Sequence, residues 1–203
     1  MQKLETMRWL RSAVGVTAVV AIVGVLGYVY LQKGDPPTAL EADGTRVRAG
    51  AVDTPGAAPR EGSIAPDFVL AGYDGRAVRL SNYRGKTVLL NFWATWCTTC
   101  AEEMPYMQRL ATEHPDDFVV LAVNQAEGTS TARAWSDGRA LRAIVFALDH
   151  DKSVSSAYKL SPGLPHSFFI DKDGYVRGVI QGGMTYDDMR QRLEKVQSPR
   201  PAG

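Results

Sequence analysis

The segment TVLLNFWATWCTTC, Thr87 to Cys100, limits the possible folds more than any other part of the chain. Its first eight residues are apolar on both faces except at Asn91, the pattern of a central strand covered on each side by helices. A helix-compatible stretch, Thr99 to His114, comes directly after, so Cys97 and Cys100 fall where a strand hands over to a helix start. Further strand signals recur at Phe68 to Ala71, Ala77 to Leu80, Phe118 to Asn124, Ile144 to Leu148, Ser167 to Asp171 and Tyr175 to Gln181. Helix-compatible stretches lie between them at Thr129 to Asp137 and Ser153 to Tyr158, and a last one runs from Thr185 to Gln197. This alternation predicts an α/β domain with a central mixed sheet flanked by helices. The turn Asp171 to Gly174 predicts an antiparallel hairpin at one edge of that sheet. Thr185, with Asp187 and Asp188 behind it, reads as a capped helix start whose first turn carries acids where the dipole favours them.

Cys97 and Cys100 are the only cysteines, which excludes a disulfide-stapled miniature scaffold and a zinc site built from four thiolates. A sulfur at or near the N-cap faces backbone N–H groups that have no partner inside the helix, with the positive end of the dipole beneath it. Thiolate is then favoured over thiol, and in such Cys-x-x-Cys settings the pKa falls from about 8.5 to between about 3.5 and 7.5. As a purely structural cross-link the pair would be weak. Closing a four-residue loop is worth about 1.9 kcal/mol by the chain-entropy relation, against about 3 kcal/mol for 15 residues. Redox chemistry at the edge of an open α/β sheet is the better reading, with two unpaired core cysteines as the alternative.

Residues 12 to 32 form an uncharged stretch of 21 residues, which as a helix spans about 31 Å and matches a hydrocarbon core of about 30 Å. The stretch ends in Tyr28, Val29, Tyr30 and Leu31 rather than a small-x-small cleavage site, so it reads as one uncleaved transmembrane anchor. Lys3, Arg8 and Arg11 precede it and Lys33 alone lies close after it, which puts residues 1 to 11 in the cytoplasm and residues 33 to 203 on the extracytoplasmic side. Residues 33 to 62 are rich in Gly, Ala, Pro, Asp and Thr and read as a flexible linker. The folded domain is expected at 63 to 197, with 198 to 203 as a tail. With 23 Lys and Arg against 22 Asp and Glu, the chain lacks the basic excess that nucleic-acid binding needs.

Several pieces, in order, resemble the TlpA/ResA-like branch of the thioredoxin superfamily: APDFVL (Ala65 to Leu70), LSNYRGKTVLLNFWATWCTTC (Leu80 to Cys100), AEEMPYM (Ala101 to Met107), GLPHSFFID (Gly163 to Asp171) and GGMT (Gly182 to Thr185). The resemblance implies a thioredoxin-like fold that exchanges electrons with disulfides of extracytoplasmic proteins, such as apocytochrome c on the path to cytochrome c maturation. It implies re-reduction by a membrane electron donor and no metal or organic cofactor. By the same resemblance Cys97 is an exposed attacking cysteine and Cys100 its resolving partner. Glu103 completes C-x-x-C-x-x-E-x-P with Pro105 and lies at i+3 from Cys100, where a carboxylate can take or return a thiol proton. Pro165 corresponds to the family's cis proline. Trp96, Leu164, Pro165 and His166 are the expected substrate-facing set.

Asn91 stands where thioredoxin carries a buried acid and cannot shuttle a proton, so Glu103 is the expected substitute. His166 is either a polar loop residue or a group able to tune or join the dithiol. A different class of function also fits the dithiol: a copper(I) chaperone, with two soft thiolates and His166 as donors, serving assembly of a respiratory oxidase. A tethered binding domain whose dithiol is incidental is a third possibility. Met104, Met107 and Leu110, at helical spacing, are expected in the core.

Overall fold

A computed structural model describes residues 38–41, 46–52 and 58–198. The proposed membrane span, residues 12 to 32, and the short N-terminal segment before it lie outside the described residues. Among the described residues no helix is long and apolar enough to cross a membrane.

The strands are β1 (Thr38–Leu40), β2 (Arg46–Arg48), β3 (Ala51–Val52), β4 (Phe68–Ala71), β5 (Ala77–Arg79), β6 (Thr87–Trp93), β7 (Phe118–Gln125), β8 (Ile144–Asp149), β9 (His166–Ile170) and β10 (Val176–Gln181). The helices are α1 (Thr98–Glu113), α2 (Thr129–Asp137), α3 (Ser153–Ala157) and α4 (Tyr186–Gln197), with a 3-10 turn at Leu80–Tyr83. The main sheet runs β10-β9-β6-β7-β8-β4-β3, and β5 pairs with β4. Strands β6, β7 and β8 are parallel, while β9, β10 and β4 join antiparallel, so the sheet is mixed as expected.

Strand β6 sits inside this sheet with all seven residues buried, and its alternation divides the core. Leu89 and Trp93 face a cluster that holds both cysteines with Met104, Met107 and Leu110 of α1 and Met189 and Leu193 of α4. Val88, Leu90 and Phe92 face the other cluster, with Val154 of α3, Phe168 and Tyr158. Asn91 falls on the cysteine side by the same alternation. Burial of large apolar side chains at about 1.5–3 kcal/mol each makes β6 a rigid platform for the turn and helix attached to its C-terminal end.

The stretch expected to be a linker requires a correction. Strands β1, β2 and β3 lie within 33 to 62: β1 and β2 pair antiparallel, and β3 adds to the edge of β4. Backbone hydrogen bonds tie this segment to the rest of the domain. The N–H of Leu40 donates to the Gly75 carbonyl at 2.9 Å and that of Gly50 to the Val69 carbonyl at 2.7 Å. The residues this packs away are small ones, Ala39 and Ala49. A composition criterion that counts aromatic and large aliphatic residues misses such an edge.

The C-terminal hairpin and helix match expectation. β10 is the edge strand beside β9, and Thr185 caps α4 in a reciprocal capping box with Asp188.

Candidate functional site

Helix α1 begins one residue after Cys97, which is its N-cap. The backbone there is extended, and the Cys97 sulfur accepts the N–H of Cys100 at 3.1 Å. Cys97 and Cys100 are joined in a disulfide. Cys97 is 5 % exposed and Cys100 fully covered. The sulfur expected to be exposed is therefore nearly enclosed in the disulfide form. The asymmetry nevertheless survives, since only Cys97 keeps any surface on which an incoming sulfur can act. Trp96, the preceding residue, is 69 % exposed and stands at the rim.

Beneath the disulfide, Glu103 is 1 % exposed. It lies one helical turn from Cys100 on the buried stripe that also carries Met104 and Met107. One carboxylate oxygen accepts Asn91 Nδ2 at 2.9 Å, and the other accepts the backbone N–H of Met184 at 3.0 Å. Desolvation pushes its pKa up from the ordinary 4.5 to about 7, against the opposing pull of these two bonds. A carboxyl poised near neutrality next to a thiol that must lose its proton is suited to general acid–base work.

The loop that supplies the Met184 amide approaches α1 closely. A Cβ at Gly183 would stand 2.5 Å from the Thr99 Cγ2, closer than carbon atoms can pack. Gly183→Ala should therefore lower stability by about 1 kcal/mol or more, and Thr99→Ser, which removes that methyl, should restore most of the loss. Thermal unfolding of the two single variants and the double variant checks this. Simple additivity would refute the contact.

The Leu164–Pro165 peptide bond is cis. Pro165 immediately precedes β9, whose first residue, His166, pairs with Phe92 near the end of β6, so the proline lies at the same end of the sheet as the dithiol. Leu164 is half-buried against the cysteine cluster. A groove of about 310 Å³ runs between Trp96 and the Ser161 to Leu164 segment, with Lys152 and Ser155 also lining it. Trp96 and Leu164 thus line one groove, and Pro165, buried directly after Leu164, lies behind it at the same end of the sheet.

His166 does not join them at the sulfurs. Alternation along β9 points it away from the face used by Ser167 and Asn91, and it is buried. Its Nε2 donates to the Ser161 carbonyl at 3.0 Å, which ties down the loop that walls the groove. Among the described residues no group of three or more His, Cys, Asp or Glu side chains is arranged to hold a metal. The geometry therefore adds no third donor to the two sulfurs.

Asn91, read from the sequence only as a polar residue unable to shuttle a proton, and Glu127, which the sequence did not signal, both gain importance here. Asn91 donates to both Glu103 and Ser167, each at 2.9 Å. Glu127, after β7, accepts the Thr95 backbone N–H and Asn124 Nδ2, both at 2.7 Å, and the Thr95 hydroxyl as well. It thereby fixes the turn that carries Trp96 and Cys97. No local pattern pairs Glu127 with a residue 32 positions away. The fold brings them together by laying β7 beside β6.

The Redoxin family matches residues 60–196. The thiol-disulfide oxidoreductase ResA of Geobacillus thermodenitrificans is 43 % identical over 136 residues, covering 66 % of this chain and 77 % of the relative. The thioredoxin-like protein YneN of Bacillus subtilis is 36 % identical over 138 residues, covering 66 % and 79 %. Among solved structures, the exposed lipoprotein thioredoxin Etrx1 of Streptococcus pneumoniae is similar with a TM-score of 0.57 and 33 % identity, covering 64 % of this chain and 98 % of that one. A Chlorobium tepidum chain described as a DsbE thiol:disulfide interchange protein gives a TM-score of 0.63 at 31 % identity, covering 68 % and 99 %. With the joined cysteines at a helix start and the cis proline at the same sheet end, these similarities place the chain in the Redoxin family as a thiol–disulfide oxidoreductase of the ResA type.

Proposed function

We propose that the chain is a membrane-tethered, extracytoplasmic oxidoreductase that reduces a disulfide in a partner protein, apocytochrome c being the substrate that the family resemblance suggests. The observation that carries this reading is the asymmetry of the dithiol: one sulfur with residual access at a helix N-cap, and one fully buried beside a protonatable carboxyl.

In the reduced protein, the Cys97 thiolate attacks a substrate sulfur. A mixed disulfide forms and the other substrate sulfur leaves as a thiolate. Cys100 then gives its proton to Glu103 and attacks the Cys97 sulfur, which releases the second substrate thiolate and closes the Cys97–Cys100 bond. Two electrons pass to the substrate, and the proton held on Glu103 is returned as the product is protonated. A membrane electron donor must then reduce the enzyme. No metal or organic cofactor enters these steps. Trp96 and Leu164 form the rim that receives the substrate segment, with Pro165 behind it, and His166 acts through the loop it anchors. The apolar stretch 12 to 32, preceded by Lys3, Arg8 and Arg11, supports a single anchor with the catalytic domain outside the cytoplasm.

Equilibrating the full chain with glutathione buffers tests the direction. A reduction potential well below about −200 mV is expected, and a value near about −120 mV would make the protein an oxidant instead.

A further inference from the structure

Asn91 is fully buried on β6, and its register partner on β9 is Ser167, so the two side chains stand side by side on the face covered by α1. Both hydrogens of its amide are committed, one to Glu103 and one to the Ser167 hydroxyl, each at 2.9 Å. Its carbonyl oxygen is buried and, among the described residues, has no hydrogen-bond donor. An unpaired buried acceptor is destabilising, and an apolar residue of similar size would avoid it. It would, however, leave the buried Glu103 carboxyl and Ser167 hydroxyl without the donors that Asn91 gives them. The arrangement makes sense if both donors are needed.

We propose that Asn91 is a positioning residue for the exchange reaction, one that holds the Glu103 carboxylate on the Cys100 face of α1 and favours its ionised, proton-accepting form. The proposal rests on the role of Glu103 as the base for Cys100. A hydrogen bond from a neutral donor to a carboxylate is stronger than the same bond to a carboxylic acid, so the amide biases the equilibrium toward the base.

Among the described residues on this face of the sheet, no other side chain donates a hydrogen bond to Glu103. From β6 there are Asn91 and the apolar Leu89, and from β9 Ser167 and Phe169. The 182 to 184 loop offers a backbone amide, α4 offers Met189 and Leu193, and α1 itself contributes Cys100, with Cys97 at its N-cap. Among the described residues no charged side chain contributes to the shift in Glu103, which burial dominates.

The test is the pH dependence of resolution. The reduced full chain is mixed with oxidised glutathione, and release of the second glutathione thiol in a single turnover is followed from acid to alkaline pH. The wild-type rate should rise with a midpoint near 7. In Asn91→Leu the midpoint should move up by about one pH unit, because a charge-assisted bond is lost. In Asn91→Asp, which keeps the size but removes the donor and adds a like charge, it should also move up. Profiles of both variants that superimpose on wild type overturn the proposal, even where the unfolding temperature falls, since a merely structural role moves only the latter. Should Asn91→Leu fail to fold, Asn91→Asp and Asn91→Ala carry the same test. Glu103→Gln separates the two layers. If it leaves the wild-type midpoint in place, the base assignment itself fails; if it abolishes the midpoint while the Asn91 variants stay at the wild-type value, only the role of Asn91 fails.

Discussion

A Cys100→Ser variant of the full chain, offered a disulfide-bearing partner protein, should accumulate as a covalent adduct through Cys97, while Cys97→Ser should form none. The reason lies in the access of each sulfur. In the disulfide form Cys97 keeps 5 % of its surface and Cys100 none, and the same order of access in the reduced variants lets an incoming disulfide meet only the first. Thiol–disulfide exchange needs the attacking and leaving sulfurs in line, and the covered position of Cys100 permits that line to Cys97 alone. Once the mixed disulfide has formed, wild type discharges it by attack from Cys100. Serine cannot, because its hydroxyl does not act as a leaving or attacking thiolate, and the adduct persists until a reductant is added. Multiple-turnover reduction should fall to background in both variants. Non-reducing gels distinguish them: an adduct with Cys100→Ser, sensitive to dithiothreitol, and free protein with Cys97→Ser. Adducts of equal yield from both would mean that either sulfur can attack, and the assigned order would be wrong.

Much of this site was legible in the sequence because its signals are local. A strand apolar on both faces except at Asn91, with two cysteines one helical turn apart just after it, carries its own geometry, and α1 starts within one residue of the expected place. The hairpin of β9 and β10 and the capped start of α4 were readable for the same reason: turn and capping chemistry operate over three or four residues. What escaped was set by contacts distant in sequence. Ser167 meets Asn91 across 76 positions and Met184 meets Glu103 across 81, and nothing near either residue announces the partner. The orientation of His166 escaped because strand alternation decides it, and a histidine directly after a proline reads as loop until the pairing of β9 with β6 is known. Strands β1 to β3 escaped because they show as backbone pairing, β1 with β2 and β3 with the β4 edge, which composition does not register.

Glu103→Gln should change the stability of the oxidised protein by an amount that depends on pH, and its dependence is more telling than its size. A carboxyl whose pKa in the folded state lies above its unfolded value keeps its proton to higher pH when folded. Folding is therefore indifferent to this group below about pH 4.5, is progressively opposed as the pH rises toward 7, and above that bears a constant cost. From 4.5 to about 7 the cost amounts to about 3 kcal/mol. Glutamine removes that cost but introduces another: Asn91 Nδ2 and the Met184 N–H both aim donors at this side chain, and one carboxamide oxygen cannot serve both in the same way. The orphaned donor should cost about 1–3 kcal/mol at every pH. The variant should consequently be less stable than wild type at pH 4.5 and about equal to it or more stable at pH 8, the difference swinging by about 3 kcal/mol between the two. Denaturant unfolding of the oxidised forms at several pH values measures the swing without interference from thiol ionisation. In the reduced protein the same substitution deprives Cys100 of its base and should slow resolution at pH 7 by about 10²-fold or more. A stability difference that stays constant from pH 4.5 to 8 would show that the Glu103 carboxyl titrates like an exposed one, and a proton acceptor held beneath the disulfide would no longer explain how Cys100 is activated.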